Sequence, residues 1–249
     1  MEQNKKRVML TVAYDGTNYN GWQVQPNGVT IEGVLNEALS ELLKEEIMVV
    51  GASRTDAGVH ALCNVAVFDT YSRIPAEKMS YALNTALPED IRIVGSKEVD
   101  EDFHPRHCES KKTYEYRIVN SEFINPVKRL YCHHTYLKCD VDAMREAARY
   151  LVGEHDFKSF CTVGAQVEST VRTITDLEVV RIGEEIVIRV TGTGFLYNMV
   201  RIIAGTLLEV GYGRMSVEDI PSILEACDRH VAGPTAPAKG LCLVKYEFL

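Results

Sequence analysis

The chain has 249 residues, of which 46% are hydrophobic, and a formal net charge of −8. This length and composition exclude a disordered chain and allow one large domain or two smaller ones, each with a buried core. The excess of acidic residues argues against indiscriminate binding to nucleic acid, whose affinity comes mostly from neutralised phosphates, but it does not exclude a local basic face.

The chain shows no sequence feature of export or membrane insertion. Residues 1–7 are polar and basic, no apolar segment behind them is long enough for a secretory leader, and no run approaches the length of a membrane span. We therefore expect a soluble, cytoplasmic protein. The seven cysteines form neither a C-x-x-C pair nor a dense disulfide framework, and we expect them to be reduced.

The first half of the chain predicts the element order β-α-β-β-α-β. Apolar residues from Ile31 recur at helical spacing, and Thr30 can accept a hydrogen bond from the first free N–H groups of that helix. Pro75 suits the first turn of a second helix. The predicted strands cover residues 6–14, 47–50, 65–68 and 91–99.

The second half repeats the alternation of strands and helices after the charged stretch at 100–106. Strands are predicted at 113–119, 131–137, 173–181, 186–191 and 241–248, and helices at 140–152, about 195–209 and 217–227. One cluster within it, Cys132, His133, His134 and Cys139, contains residue types that bind zinc. Its spacing fits no usual zinc pattern, so structural packing is favoured over metal binding.

These elements predict an α+β protein built from two similar halves, residues 1–105 and 106–249. Each half is expected to contain a mainly antiparallel sheet backed by helices on one face. A free opposite face would form a broad groove, and a central cleft of this shape suits a polymer.

The segment 51–61, Gly-Ala-Ser-Arg-Thr-Asp-Ala-Gly-Val-His-Ala, is a turn between two apolar runs. It places a guanidinium, Arg54, two residues before a carboxylate, Asp56, on a loop that is held from both ends. Asp56 could close an Asx turn or serve as a catalytic acid, and the segment alone leaves both interpretations open.

Two further segments contain candidate functional residues. In the strand at 113–119, Tyr114 and Tyr116 lie on one side and Arg117 on the other, which fits either a core pair or a platform for a stacked base. The segment from Gly192 resembles a dinucleotide-binding fingerprint but has tyrosine at the third glycine position. Arg201, on the following helix, has apolar neighbours and could pair with Asp56.

Basic residues gather in places along this acidic chain, and the C-terminal region contains a stiff loop. The basic groups are Lys5, Lys6 and Arg7; His104, Arg106 and His107; Lys111 and Lys112; Lys128 and Arg129; and Arg201. They could form one charged cleft or separate solvated edges. The loop at 233–240 is stiffened by two prolines and is expected to form a wall ahead of Leu241.

Together these segments closely resemble the TruA family of tRNA pseudouridine synthases, in its bacterial form. The resemblance rests on five ordered motifs: Tyr14-Asp15-Gly16 with Gly21-Trp22-Gln23, Arg54 to His60, Lys112-Thr113-Tyr114, Gly194-Phe195-Leu196 with Met199-Val200-Arg201, and Ala236-Pro237 with Gly240-Leu241. Ser53 stands where the family commonly has glycine. Ala57 stands where eukaryotic relatives tend to have lysine.

The resemblance implies a role for each of these residues. It makes Asp56 the nucleophile or base, Arg54 the residue that enters the duplex and holds out the flipped base, and Tyr114 the residue stacked on the uracil. Arg201 would pair with Asp56, and Leu241 would pack in the catalytic pocket. The family isomerises uridines 38, 39 and 40 of the tRNA anticodon arm as a homodimer, with neither metal nor cofactor.

We also expect Arg106, Lys111, Lys112 and the N-terminal basic residues to line the groove that binds the RNA. Two other function classes are considered. A non-catalytic RNA-binding protein on the same scaffold would tolerate loss of Asp56. A glycoside hydrolase would require a second positioned carboxylate, which no second motif supplies.

Overall fold

The computed structural model describes residues 4–164 and 167–249 and has the predicted α+β architecture. The strands in these ranges are β1 (Lys6–Tyr14), β2 (Val50–Gly51), β3 (His60–Thr70), β4 (Ile91–Val99), β5 (Ser110–Asn120), β6 (His133–Thr135), β7 (Gly153–Asp156), β8 (Val171–Ile182), β9 (Glu185–Gly192) and β10 (Leu241–Phe248). The α-helices are α1 (Ile31–Leu43), α2 (Met79–Leu83), α3 (Val141–Arg149), α4 (Met199–Gly211) and α5 (Asp219–Ala226).

The chain divides into two compact units. The first contains residues up to Glu109 together with Leu243–Leu249, and the second contains Ser110–Cys242. The division therefore falls four residues after the sequence-derived boundary at 105/106. It also assigns the end of the chain, which the sequence grouped with the second half, to the first unit.

The first unit contains an antiparallel sheet in which β1 lies between β3 and β4, with β10 next to β3 and the short β2 paired to the same strand. The order β-α-β-β-α-β is confirmed. Thr30 caps α1 as predicted, since its hydroxyl accepts a hydrogen bond from Gly33 N at 3.2 Å.

The predicted strand at 47–50 is mostly an extended segment bound to α1. The amides of Ile47 and Val49 donate to the side chains of Ser40 and Asn36, at 2.9 and 2.8 Å, so only Val50 joins the sheet. These side-chain contacts replace a strand partner, which explains why an apolar run read as a strand forms none over most of its length.

One face of β1 is buried in the first unit, and the other face is partly buried. Val8, Leu10 and Val12 are fully buried on one face. On the other face, Met9 belongs to an apolar cluster with Val65 and Val67. This second face is therefore covered around Met9 and partly exposed at Arg7, Thr11 and Ala13.

The second unit contains the strand order β5-β9-β8-β7, with antiparallel pairing of β9 to both neighbours. One pair departs from the predicted pattern, because β6 runs parallel to β5. Strand β7 was not predicted, since its four residues, Gly-Glu-His-Asp, contain no apolar alternation. Asp140 caps α3 as expected, accepting from two backbone amides at 3.0 Å.

Helix α4 begins four residues later than the sequence indicated. Asn198 adopts a left-handed conformation with φ of 61°, which separates the helix from the preceding segment. Gly205 is required within the helix, because a Cβ there would lie 1.8 Å from the carbonyl oxygen of Pro234. The described residues include no helix long and apolar enough to cross a membrane.

Two of the three N-terminal basic residues, Lys5 and Arg7, are held by one carboxylate in the first unit. The Asp69 carboxylate accepts hydrogen bonds from Nε and one terminal nitrogen of Arg7, at 2.7 and 2.8 Å. One of its oxygens lies 2.8 Å from Nζ of Lys5. The Arg7 guanidinium, followed by Lys5, lowers the pKa of the Asp69 carboxyl to about 2. Asp69 therefore offsets one of the two positive charges that Lys5 and Arg7 carry.

Asp69→Asn should destabilise the protein near neutral pH and lose that effect in acid. Because the pKa of Asp69 is lower in the folded state, its contribution is present above about pH 4 and disappears as pH falls toward 2. Urea unfolding of both proteins between pH 3 and 7 measures the difference. Glu122→Gln, at an exposed position, is the control, and a difference independent of pH would contradict the assignment.

Candidate active site

The Asp56 loop, defined as residues 52–59, joins β2 to β3 in the first unit. Its side chains alternate in exposure: Ser53 and Thr55 are buried, Arg54 is exposed, and Asp56 is half-buried. The arginine is therefore displayed on the surface of this unit, while the carboxylate is partly withdrawn from solvent.

The segment 14–22 supports the Asp56 loop through direct backbone contact. Trp22 N donates to Thr55 O at 3.0 Å, and Gly58 N donates to Tyr19 O at 3.2 Å. Gly21 has a φ of 83°, and a Cβ there would lie 2.5 Å from Thr55 O. The two motifs that flank α1 in sequence thus form one structural unit.

A second close approach fixes the far end of the loop. A Cβ on Gly16 would lie 2.0 Å from Val59 O, and the amide of Gly16 donates to Nδ1 of His60 at 3.1 Å. Val59 N in turn donates to Asp56 O at 3.1 Å. The turn that contains Asp56 is therefore closed by its own backbone and bound to the end of β1.

Arg106 lies close to Arg54 in the same unit. Its Nε donates to Gly51 O at 2.7 Å, which holds the guanidinium beside the beginning of the loop. Partial burial, followed by the positive charge of Arg54, lowers the pKa of Arg106. Among the described residues neither arginine forms an ion pair, and only the more distant charge of Glu32 acts against the repulsion between the two cations at Arg106.

One of the neighbouring histidines, His104, is held mainly in its neutral form beside this pair of arginines at neutral pH. The rings of His104 and His107 stack with their centroids 3.9 Å apart. Burial, followed by the charges of His107 and Arg106, lowers the pKa of His104. The lowered pKa of His104 therefore reduces the positive charge that this residue adds beside Arg106.

Tyr114 and Tyr116 lie on one buried side of β5, while Arg117 is exposed, as the strand period predicted. Tyr116 is fully buried, and its hydroxyl donates to Pro237 O at 2.9 Å. Tyr114 packs edge-on against Phe195, with ring centroids 5.2 Å apart. Tyr116 thus has a structural role, and Tyr114 is the tyrosine that remains a candidate for substrate contact.

Arg201 lies in the first turn of α4, and two contacts orient its side chain. Nε donates to Ala236 O at 2.8 Å, and one terminal nitrogen donates to the side-chain oxygen of Asn198 at 2.7 Å. Asn198 is anchored through its amide to the Thr162 hydroxyl at 2.8 Å. The sequence analysis missed this role of Asn198, for which its spacing of three residues from Arg201 on the helix was the available signal.

The loop at 233–240 is attached to both α4 and β5, in agreement with the stiff wall predicted from its prolines. Gly233 N donates to the Thr206 hydroxyl at 3.0 Å. A Cβ on Gly240 would lie 2.7 Å from the Tyr116 ring, so the loop packs closely on that tyrosine. Leu241, which follows, is buried at the beginning of β10.

The remaining basic candidates have different environments. Lys111 and Lys112 are half-buried at the beginning of β5. Lys128 forms an ion pair with Glu185. The site candidates fall into both units: Asp56, Arg54 and Arg106 belong to the first, and Tyr114, Arg201, Leu241, Lys111 and Lys112 to the second. The pairing of Arg201 with Asp56 stays a prediction.

The residues considered for zinc are bound separately to backbone carbonyls. The thiol of Cys132 contacts Lys128 O at 2.9 Å, the ring of His134 contacts Ser121 O at 2.9 Å, and the thiol of Cys139 contacts Leu137 O at 3.5 Å. Within residues 4–164 and 167–249 no group of three or more potential metal ligands is found.

Comparisons with known proteins identify the family. A family model described as tRNA pseudouridine synthase matches residues 10–107 and 147–248. The tRNA pseudouridine synthase A of Ruminiclostridium cellulolyticum is 50% identical over 244 residues, which cover 98% of this chain and 100% of that protein. The enzyme of that name from Thermoanaerobacter sp. (strain X514) is 48% identical over 240 residues, 96% of this chain and 98% of that protein.

A solved structure of a Cbf5-Nop10-Gar1 complex can be aligned with 81% of this chain and 45% of the chain in that structure. The identity is 16% and the TM-score 0.36, which is too low to support a functional conclusion. The sequence matches are different in kind, because they extend over nearly the whole of both proteins and include the Asp56 loop and the segment that supports it. This chain belongs to the family of tRNA pseudouridine synthases, isomerases that convert uridine to pseudouridine in tRNA.

Proposed function

We propose that this protein converts uridine to pseudouridine at positions 38, 39 and 40 in the anticodon stem-loop of tRNAs, with Asp56 as the catalytic residue. The observation that carries this proposal is the half-buried carboxylate on a loop fixed at Gly16 and Gly21, in a chain about half identical to named synthases over nearly its full length. The specific tRNA positions rest on the family resemblance.

The reaction rearranges one nucleoside without adding or removing atoms overall. The bond between N1 of uracil and C1′ of ribose breaks, the base turns within the site, and C5 joins C1′. The proton displaced from C5 leaves and N1 gains one. An ionised Asp56 can attack C1′ directly or take a proton from C2′ to give a glycal, and both routes require its charged form.

An ionised carboxylate in a site that excludes water needs a cation nearby. Desolvation alone raises the pKa of a carboxyl group, and an opposite charge within about 4 Å offsets that rise. We assign this role to Arg201, whose orientation is fixed by Asn198 and by the loop at 233–240. Tyr114 stacks on the uracil, and Leu241 forms part of the pocket wall.

A uridine inside a stem must be extruded before it can react, at a cost of a few kcal/mol. We assign Arg54 to hold the extruded state, since it is exposed and forms no ion pair among the described residues. Arg106, Lys111 and Lys112 contact the phosphate backbone. Residues 1–105 supply the aspartate loop, and residues 106–249 supply the tyrosine strand, the arginine helix and the pocket wall.

By its family resemblance we also propose that the protein acts in the cytoplasm as a homodimer. The homodimer can be checked by light scattering coupled to size-exclusion chromatography. A monomeric mass at micromolar concentration would reject it and would leave the proposed chemistry untouched.

Asp56→Ala should abolish isomerisation while tRNA still binds. Because the loop backbone is held by contacts that do not involve the Asp56 side chain, the variant should fold. The measurement is release of tritium from tRNA labelled at C5 of uridine, with tRNA affinity measured in parallel. Asp102→Ala, an exposed position, is the control.

The outcomes of this experiment separate the function classes. The isomerase releases the label, whereas an RNA-binding protein or a glycoside hydrolase leaves C5 intact. Wild-type turnover by Asp56→Ala would reject the catalytic assignment, and no release by the wild-type protein would reject the proposed function.

Arg201→Gln should shift the acid limb of the rate against pH toward higher pH. Removing the cation raises the pKa of the carboxyl it serves, so a smaller fraction of Asp56 is ionised at a given acidic pH. Single-turnover rates between pH 5 and 9 measure the shift. Arg149→Gln, on the surface of α3, should leave the profile unchanged, and an unshifted Arg201→Gln profile would contradict the pairing.

Arg106→Gln should weaken tRNA binding and reduce its salt dependence. Loss of one phosphate contact lowers the slope of log K against log salt by about 1. Arg149→Gln, on the surface of α3 and outside the basic groups expected to line the groove, is the matched control and should leave the slope unchanged. Equal slopes for the wild-type protein and Arg106→Gln would remove Arg106 from the RNA interface.

A further inference from the structure

A buried asparagine, Asn64, lies beneath the Asp56 loop. It belongs to β3, has no exposed surface, and carries a polar side chain where its neighbours Val65 and Ala66 are apolar. Burial of an amide is unfavourable unless its hydrogen bonds are made. The hydrogen bonds of Asn64 therefore indicate why a polar residue occupies this position in the core.

The side-chain amide of Asn64 binds both the N–H and the carbonyl group of Ser53. Ser53 N donates to Oδ1 at 3.3 Å, and Nδ2 donates to Ser53 O at 3.0 Å. The Ser53 hydroxyl is buried and has no hydrogen-bond partner among the described residues. Asn64 thus recognises the backbone of this position and not its side chain.

Through the hydroxyl of Tyr14, the same amide is also connected to Thr55, the residue that follows Arg54. Nδ2 of Asn64 lies 3.3 Å from the hydroxyl of Tyr14, and that hydroxyl shares a hydrogen bond of 2.7 Å with the hydroxyl of Thr55. Both residues that flank Arg54 are therefore attached to the interior of the first unit through one buried network.

This network replaces strand pairing at the point where pairing stops. Ala52 N still donates to Val65 O at 2.7 Å, but Ser53 is bound by the Asn64 side chain instead of by a strand. In an extended segment, neighbouring side chains point to opposite faces. Fixing residues 53 and 55 inward consequently turns Arg54 outward and sets the direction in which the chain reaches Asp56.

We infer that Asn64, acting with Tyr14, is a positioning residue for the isomerisation, which holds Arg54 and Asp56 in their working directions without touching the substrate. The inference rests on the roles proposed above for those two residues. Misplacement of a reacting group by about 1 Å can lower a rate on the order of 100-fold. The network therefore controls the chemical step more than tRNA affinity.

The test compares variants of the network with a matched asparagine elsewhere in the first unit. Asn84 makes the same pair of contacts with Ile93, donating to its carbonyl at 2.9 Å and accepting from its amide at 2.8 Å, between α2 and β4. Each of the variants Asn64→Leu and Asn84→Leu thus removes a side-chain amide that binds both the N–H and the carbonyl group of one residue. Single-turnover rate, tRNA affinity and unfolding temperature are measured for each.

Asn64→Leu should lower the single-turnover rate about 10- to 100-fold while the dissociation constant for tRNA changes less than about threefold. Asn84→Leu should lower the unfolding temperature but leave the rate of the folded protein within about twofold. A rate within twofold of wild type for folded Asn64→Leu would overturn the inference. Absence of tritium release by the wild-type protein would instead reject the proposed function.

Three gentler variants decide the question if Asn64→Leu fails to fold. Tyr14→Phe keeps the ring that packs 5.9 Å from Trp22, and Thr55→Val keeps the shape of its side chain, so each removes only a hydroxyl of the network. Both should slow the single-turnover step, and Thr55→Ser should restore it. Rates for Tyr14→Phe and Thr55→Val that match wild type would show that the network is only structural.

Discussion

The close contact between two backbone segments, 14–22 and 52–59, is the constraint on which the candidate site depends. Side chains at Gly16 and Gly21 would collide with carbonyl oxygens of the loop, so the two segments approach at a distance that only glycine permits. The loop has few strand contacts of its own. Its conformation is therefore imposed by this neighbouring segment and by side-chain hydrogen bonds beneath it.

Charge is distributed in a way that the net value of −8 conceals. Lys5 and Arg7 share the carboxylate of Asp69, and Lys128 is bound to Glu185, so each of these carboxylates offsets part of the local positive charge. Arg54 and Arg106 lie together in the first unit without such partners. A positive charge that is paired with a carboxylate is largely cancelled at short range. The attraction of a phosphate backbone to a surface therefore depends on which basic residues are unpaired, and not on the total number of basic residues.

In the second unit, backbone carbonyl groups hold the candidate side chains in place by accepting hydrogen bonds from them. Arg201 is fixed to Ala236, and Tyr116 is fixed to Pro237. The loop at 233–240 thus connects the arginine helix to the tyrosine strand within this unit. A planar guanidinium that is held through Nε by Ala236 and through one terminal nitrogen by Asn198 retains further N–H donors, which is the property that the proposed pairing with Asp56 requires.

The sequence by itself determined the fold class, most of the element order and the identity of the site motifs. Helical spacing from Ile31, the cap at Thr30 and strand alternation around Tyr114 are local properties, encoded within a few residues, and each was confirmed. The five motifs are likewise contiguous strings. They identified the family because close backbone approach and reactive side chains demand particular residue types.

Only the tertiary structure decided the features that depend on distant partners. The late start of α4 follows from the left-handed Asn198, the parallel pairing of β6 from its neighbour β5, and the neutralisation of Arg7 from Asp69. Asn64 carries no motif signal, because the backbone that it binds lies eleven positions away in sequence and is recognised without its side chain. Local propensity cannot report such contacts, since the energy of each depends on groups that meet only after the chain has folded.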